Sequence, residues 1–169
     1  MTGTCPYGIG ACWGGAYEAL GRLDAVASVM PVPNVADSTA TVYLVDQRLP
    51  LLDRWQAQFR SIVNGSYVLR GVELTLHGSI EVRDSQLFLA RTAQRPSVRL
   101  AALSPAHKLQ WDHDARAVKP LEPAEAGAFA ALLAHLQRDP EHHAARVTGP
   151  LEEVEGSYTL QVRLFSFSA

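Results

Sequence analysis

The chain has 169 residues, 47% of them hydrophobic, with 15 Lys and Arg against 17 Asp and Glu for a formal net charge of -2. This composition suits one large or two small globular domains and carries no basic surplus, which disfavours a general phosphate-backbone binder and makes nucleic acid an unlikely partner. No apolar run reaches membrane-spanning length and the first residues lack a signal-peptide pattern, so a cytoplasmic protein is expected, or a cell-envelope one had a leader been removed.

Residues 12–23 place Trp13, Ala16, Tyr17, Leu20 and Leu23 one helical stripe wide and predict a helix. Residues 25–32, rich in Val, predict a strand that ends at the Pro33-Asn34 turn signal. Residues 39–45 alternate, with Ala40, Val42 and Leu44 on one face and Thr41 and Tyr43 on the other. Pro50 suits the first turn of a second helix, Leu52, Trp55, Phe59, Ile62 and Val63 follow at helical spacing, and Asn64-Gly65 is a stop. A short strand over 66–69 closes this half. Trp13, Tyr17, Trp55 and Phe59 are expected in its core.

After Gly71 the period changes to two. Val72, Leu74, Leu76, Ile80 and Val82 share a face, and the alternation runs through Gly78, where a long strand can bend. Asp84-Ser85 predicts a turn, and 86–90 and 97–101 predict two more strands. Residues 104–122 are irregular and polar, expected as a loop anchored by Trp111 against a barrel. Pro123 opens a helix with Phe129, Leu132, Leu133 and Leu136 at i, i+3, i+4 and i+7, ending before Pro140. Strands over 144–154 and 157–167 complete the chain. The stretch RVTGPLE at 146–152 echoes TLHGSIE at 75–81, each with a mid-strand glycine, as two bent barrel strands require. Three strands, a helix and two strands is the order of an OB-fold, a five-stranded Greek-key barrel.

The first half carries a family resemblance. The stretch ACWGGAYEALGRLDAVASVMPVPNVADSTATVYL, with the following helix to NGSYVL, resembles a heavy-metal-associated (HMA) domain, in which a Cys-x-x-Cys loop opens the first helix. Cys12 matches the second cysteine of that motif, and Ala19-Leu20, Leu23, Val26, Val29 and Gly65-Ser66-Tyr67 fall where the pattern places them. The family's first cysteine would fall at Ile9, so Cys5 is the other thiol of this chain. The resemblance implies a ferredoxin-like plait. The expected fold is therefore α+β: an HMA-like plait over 1–70, then an OB-fold-like five-stranded barrel with one helix over 71–169.

Cys5 and Cys12 leave three chemistries open. Both thiolates could hold a soft ion, copper or zinc, since soft ligands select such metals and a helix start favours a thiolate at Cys12. The glycine-containing loop between them equally allows a disulfide. Cys12 alone could be redox-active: Ala11-Cys12-Trp13-Gly14-Gly15 is similar to the G-C-F-W-G start of peptide methionine sulfoxide reductases. The expectation is a non-catalytic binding or assembly protein, its partner a metal ion bound through Cys5 and Cys12 or another protein; the alternatives are a thiol-dependent oxidoreductase and an interaction scaffold with a structural disulfide. His107 and His113 in HKLQWDH fit no standard zinc spacing. The arginines near Phe88 (Arg91, Arg95 and Arg99) read as a solvated face.

Overall fold

A computed structural model describes residues 1–3, 7–46, 48–91, 95–139 and 143–167. The chain divides into two compact units, Met1–Gly71 with Leu109–Lys119, and Val72–Lys108 with Pro120–Ala169. Among the described residues no helix is long and apolar enough to cross a membrane.

In chain order the first unit holds β1 (Thr2–Gly3), α1 (Gly8–Ala11), α2 (Trp13–Gly21), β2 (Val26–Val29), β3 (Val42–Leu44), α3 (Leu52–Ile62) and β4 (Tyr67–Val68). The apolar stripe of α3 explains its placement, because Trp55, Phe59 and Val63 are buried together with Ala16, Ala19 and Leu20 of α2. Asp24, just past α2, is tied to α3 by side chains: its carbonyl accepts from the Trp55 indole N–H at 3.1 Å and its carboxylate from Gln58 at 2.9 Å. Asn64 and Gly65 both take positive φ, 50 and 78°, and end α3 as the sequence predicts. Of the four aromatics expected in the core, Trp55 and Phe59 are buried, whereas Tyr17 is exposed. Trp13 is half-buried because its indole N–H donates to the Pro31 carbonyl at 2.7 Å and its ring meets Tyr17 edge-on.

Strand β1 has no counterpart in the sequence reading, since two residues show no period. It pairs antiparallel with β4, and β2 pairs antiparallel with β3. Among the described residues these are separate two-stranded sheets, not the single four-stranded sheet of a plait. Residues 109–119 add a third pair, β8 (Trp111–Asp112) with β9 (Ala117–Val118). This stretch belongs to the first unit, which holds it: the Trp111 amide donates to the Asp37 carbonyl at 3.0 Å, Lys119 pairs with the Asp37 carboxylate at 2.7 Å, and the Arg70 guanidinium lies 4.0 Å over the Trp111 ring.

The second unit begins with β5 (Glu73–Arg83), β6 (Gln86–Ala90) and β7 (Val98–Ala102), continues through α4 (Pro123–Arg138), and ends with β10 (Ala144–Val154), β11 (Ser157–Val162) and β12 (Leu164–Phe167). Strands β5, β6, β7, β11 and β10 close into a five-stranded barrel, consistent with an OB-like barrel; β7 and β11 run parallel and the other neighbours antiparallel. Leu76, Ile80, Leu89, Val98, Val147, Leu160 and Val162 fill the interior, and Leu132 and Leu136 of α4 are buried as well.

Both mid-strand glycines matter to closure. A Cβ on Gly78 would lie 2.2 Å from the Ala90 carbonyl oxygen, and one on Gly149 would lie 1.6 Å from that of Gln161. The neighbouring backbone therefore occupies the space a side chain would need. At Gly78, strand β5 passes from pairing with β10 to pairing with β6. Near Gly149, β10 passes from β12 to β11. The single strand predicted over 157–167 is accordingly two, broken at Arg163, whose amide donates to the Thr148 carbonyl at 2.9 Å.

Candidate functional site

Cys12 is the N-cap residue of α2, with φ -116 and ψ 25°, and it is exposed. Its carbonyl accepts a hydrogen bond of 2.6 Å from the hydroxyl of Tyr67, a buried β4 residue whose phenol burial pushes to a raised pKa. Gly3 makes room for this ring, since a Cβ there would meet Tyr67 Cε1 at 2.7 Å. Helix α1, just before Cys12, packs through Gly8, which takes φ 77°, and Ile9, both buried. A Cβ on Gly8 would be 3.4 Å from His113 Cδ2, so the imidazole covers this part of α1. The structure thus brings His113 to the cysteine loop, which its distance in sequence hides.

The Cys12 sulfur is in a disulfide and carries no thiol proton. Cys5, the other half of the expected pair, lies outside the described residues. A disulfide sulfur is not a thiolate, so soft-metal ligation or nucleophilic attack by Cys12 requires reduction first. Among the described residues no three His, Cys, Asp or Glu side chains converge as metal ligands. His107 and His113 fall in different units.

The second unit gathers polar side chains that sequence reasoning missed. Glu125 occupies the third position of α4, where its carboxylate accepts from the Glu122 amide at 2.9 Å in a capping box. The same carboxylate pairs with the Lys108 ammonium, both side chains being buried, and with Arg163 at 3.3 Å. Arg163 in turn holds Glu73 at the start of β5 with contacts of 2.7 and 2.6 Å. Hydrogen bonding to the Glu73 carboxylate raises the Arg163 pKa over the opposing effect of burial. Burial alone would raise the Glu125 carboxyl, but Lys108, the Glu122 amide and Arg163 outweigh it and hold its pKa below the ordinary 4.5. Two anions and two cations therefore neutralise one another between α4 and the barrel, as buried charges must.

A second group lies nearby in sequence. Ser104 Oγ is 2.7 Å from His107 Nδ1, His107 Nε2 is 2.6 Å from a Glu152 carboxylate oxygen, and Gln161 donates to the other oxygen at 2.5 Å. On the opposite strands, Phe88 faces Arg99 and Glu81 in register and carries the Arg83 guanidinium 5.2 Å from its ring centre, while Arg83 also pairs with Glu81. Of the remaining histidines, His135 stacks on Phe167 at 3.8 Å and His77 lies on the outer face of β5. No protein-family model, curated protein or solved structure matches the chain.

Proposed function

We propose that the chain is a binding or assembly protein whose first unit is a non-catalytic, HMA-like module stapled by a disulfide at Cys12. The observation that carries this reading is the oxidised state of that sulfur at an exposed helix start. An order of strand, two successive helices, strand, strand, helix, strand, with the outer pair β1–β4 and the hairpin β2–β3, supports a reduced ferredoxin-like plait. The staple constrains the loop that covers Ile9 and Gly8, and a structural disulfide typically contributes about 2 kcal/mol or more. It also favours an oxidising compartment, and so the cell envelope over the cytoplasm.

A second reading keeps the metal. Once reduced, Cys5 and Cys12 would offer two soft ligands for copper or zinc, with the Cys12 thiolate favoured by the helix dipole at the start of α2. A thiol-dependent oxidoreductase would need the same reduction. Thiol counting on denatured protein, with and without reductant, separates these. No free thiol before reduction and two after it, with Tm lowered by reduction, is the expected result. Free thiols in the native sample, accompanied by about one copper or zinc per chain, would replace the staple by the metal reading.

A further inference from the structure

The hydrogen-bonded group of Ser104, His107 and Glu152 has an order that assigns a direction to its protons. Strand β7 ends at Ala102, Leu103 turns inward and is buried, and Ser104 precedes a single 3-10 turn over Pro105–His107, its carbonyl accepting from the His107 amide. In such a turn residues three apart lie one above the other, so the imidazole is carried directly over the serine hydroxyl. On the barrel wall, Leu151 and Leu160 point inward, which puts Glu152 and Gln161 on the other face, Glu152 half-buried and Gln161 buried. Glu152 pairs in register with Thr159, so Gln161, two residues on, is its diagonal neighbour.

Glu152 has only acceptor oxygens when ionised. One receives the Gln161 amide N–H, which fixes the carboxylate; the other therefore takes the proton of His107 Nε2. In the neutral imidazole this sets the tautomer: Nδ1 is left with its lone pair, and that lone pair faces the Ser104 hydroxyl at 2.7 Å. A hydroxyl, an imidazole base aimed at it and a carboxylate holding the base are the three parts of an activated nucleophile, recognised by geometry rather than by position in sequence. His107 and Glu152 side chains each keep about a third of their surface accessible, 34% and 36%. Ser104 is half-buried as well, so none of the three is sealed in the core.

We propose that Ser104, His107 and Glu152 form a nucleophilic relay for acyl transfer, acting on carboxylic esters with good leaving groups. Ser104 Oγ bonds to the acyl carbon as its proton passes to His107 Nδ1. The carbon–oxygen bond to the leaving alkoxide breaks, and that oxygen takes the proton from Nδ1. Water then adds to the acyl carbon with His107 again accepting a proton, Ser104 Oγ is expelled and reprotonated, and the free acid leaves. Ester and water become acid and alcohol with no redox change. This activity belongs to the second unit and does not depend on the cysteine reading.

The test treats the full chain with a fluorophosphonate, which transfers its phosphoryl group to an activated serine and releases fluoride, and follows 4-nitrophenyl acetate hydrolysis in parallel. A single adduct mapping to Ser104, absent in Ser104→Ala, is expected. His107→Ala should slow both reactions by about a hundredfold or more. Glu152→Gln is the variant that a merely structural role would not move: its amide can donate to Nε2, which places the proton on Nδ1 and turns the base away from Ser104. A matching loss of rate in Glu152→Gln, with an unchanged circular dichroism spectrum, supports the relay. No adduct, an adduct elsewhere, or unchanged labelling in either His107→Ala or Glu152→Gln overturns it.

Discussion

The two units spend similar numbers of residues on very different strand arrangements. In the second, every barrel strand has a neighbour on each side, and the ladder returns to its starting strand. In the first, six strands of two to four residues among the described residues form three separate pairs, and packing of α2 and α3 supplies the buried surface. Closure removes exposed edges and makes each strand's position depend on all the others. Separate short pairs are marginal alone and rely on helices and individual side-chain ties, such as Asp24 to α3 and Asp37 to Trp111 and Lys119. A closed ladder thus organises one unit and individual side-chain ties the other.

The largest expected effect breaks closure itself. In Gly149→Ala the new Cβ meets a backbone carbonyl, and no side chain can swing aside to relieve it. We expect a loss of roughly 3 kcal/mol or more in the second unit. The three tryptophans, Trp13, Trp55 and Trp111, all belong to the first unit, so their fluorescence isolates it. Urea unfolding followed by far-UV circular dichroism should show a destabilised barrel component while the tryptophan transition stays in place. A common shift of both signals would dissolve the distinction between the units.

Acid should act next, and on the barrel. The Glu125 pKa is lower in the folded chain than its ordinary 4.5, so its carboxylate favours the folded state fully above that value. As pH falls through about 4.5 and below, protonation of Glu125 takes that contribution away and leaves Lys108 buried beside a neutral acid. Stability of the second unit should therefore decline across this window, and Glu125→Gln should flatten the decline while lowering stability at neutral pH. An acid slope unchanged by Glu125→Gln would assign it to other carboxylates.

How much of this could be read from the sequence follows the same division. The barrel strands were legible because alternation over five to eleven residues leaves a period, and the two mid-strand glycines marked where bending was needed. Helix α3 was legible through Trp55, Phe59 and Val63. Two-residue strands such as β1 and β8 leave no period, so neither they nor the attachment of 109–119 to the first unit could be seen. The charged groups were hidden for another reason. Lys108 and Glu125 look like solvated loop and helix-start residues, and only the fold brings Arg163 to them from the far end of the chain. Glu152 reads as one of two adjacent strand carboxylates until β10 is set beside the turn that carries His107. Cys12 was legible as a site, although its bonding state was not.

The smallest expected effect sharpens the comparison by removing topology from it. Gly65 after α3 and Gly156 between β10 and β11 have nearly equal φ, 78 and 75°, and neither would press a Cβ against any atom within 4 Å. An alanine at either site therefore meets only the backbone strain of a left-handed conformation, about 1 kcal/mol. Gly65→Ala should lower the tryptophan-monitored transition and Gly156→Ala the barrel transition by the same amount. Equal costs would mean that left-handed backbone strain weighs the same in both units, so that the larger loss at Gly149, whose φ is not positive, comes from the close backbone approach at closure. A cost at Gly156 approaching that at Gly149 would instead show that the β10–β11 turn is itself part of what closes the barrel.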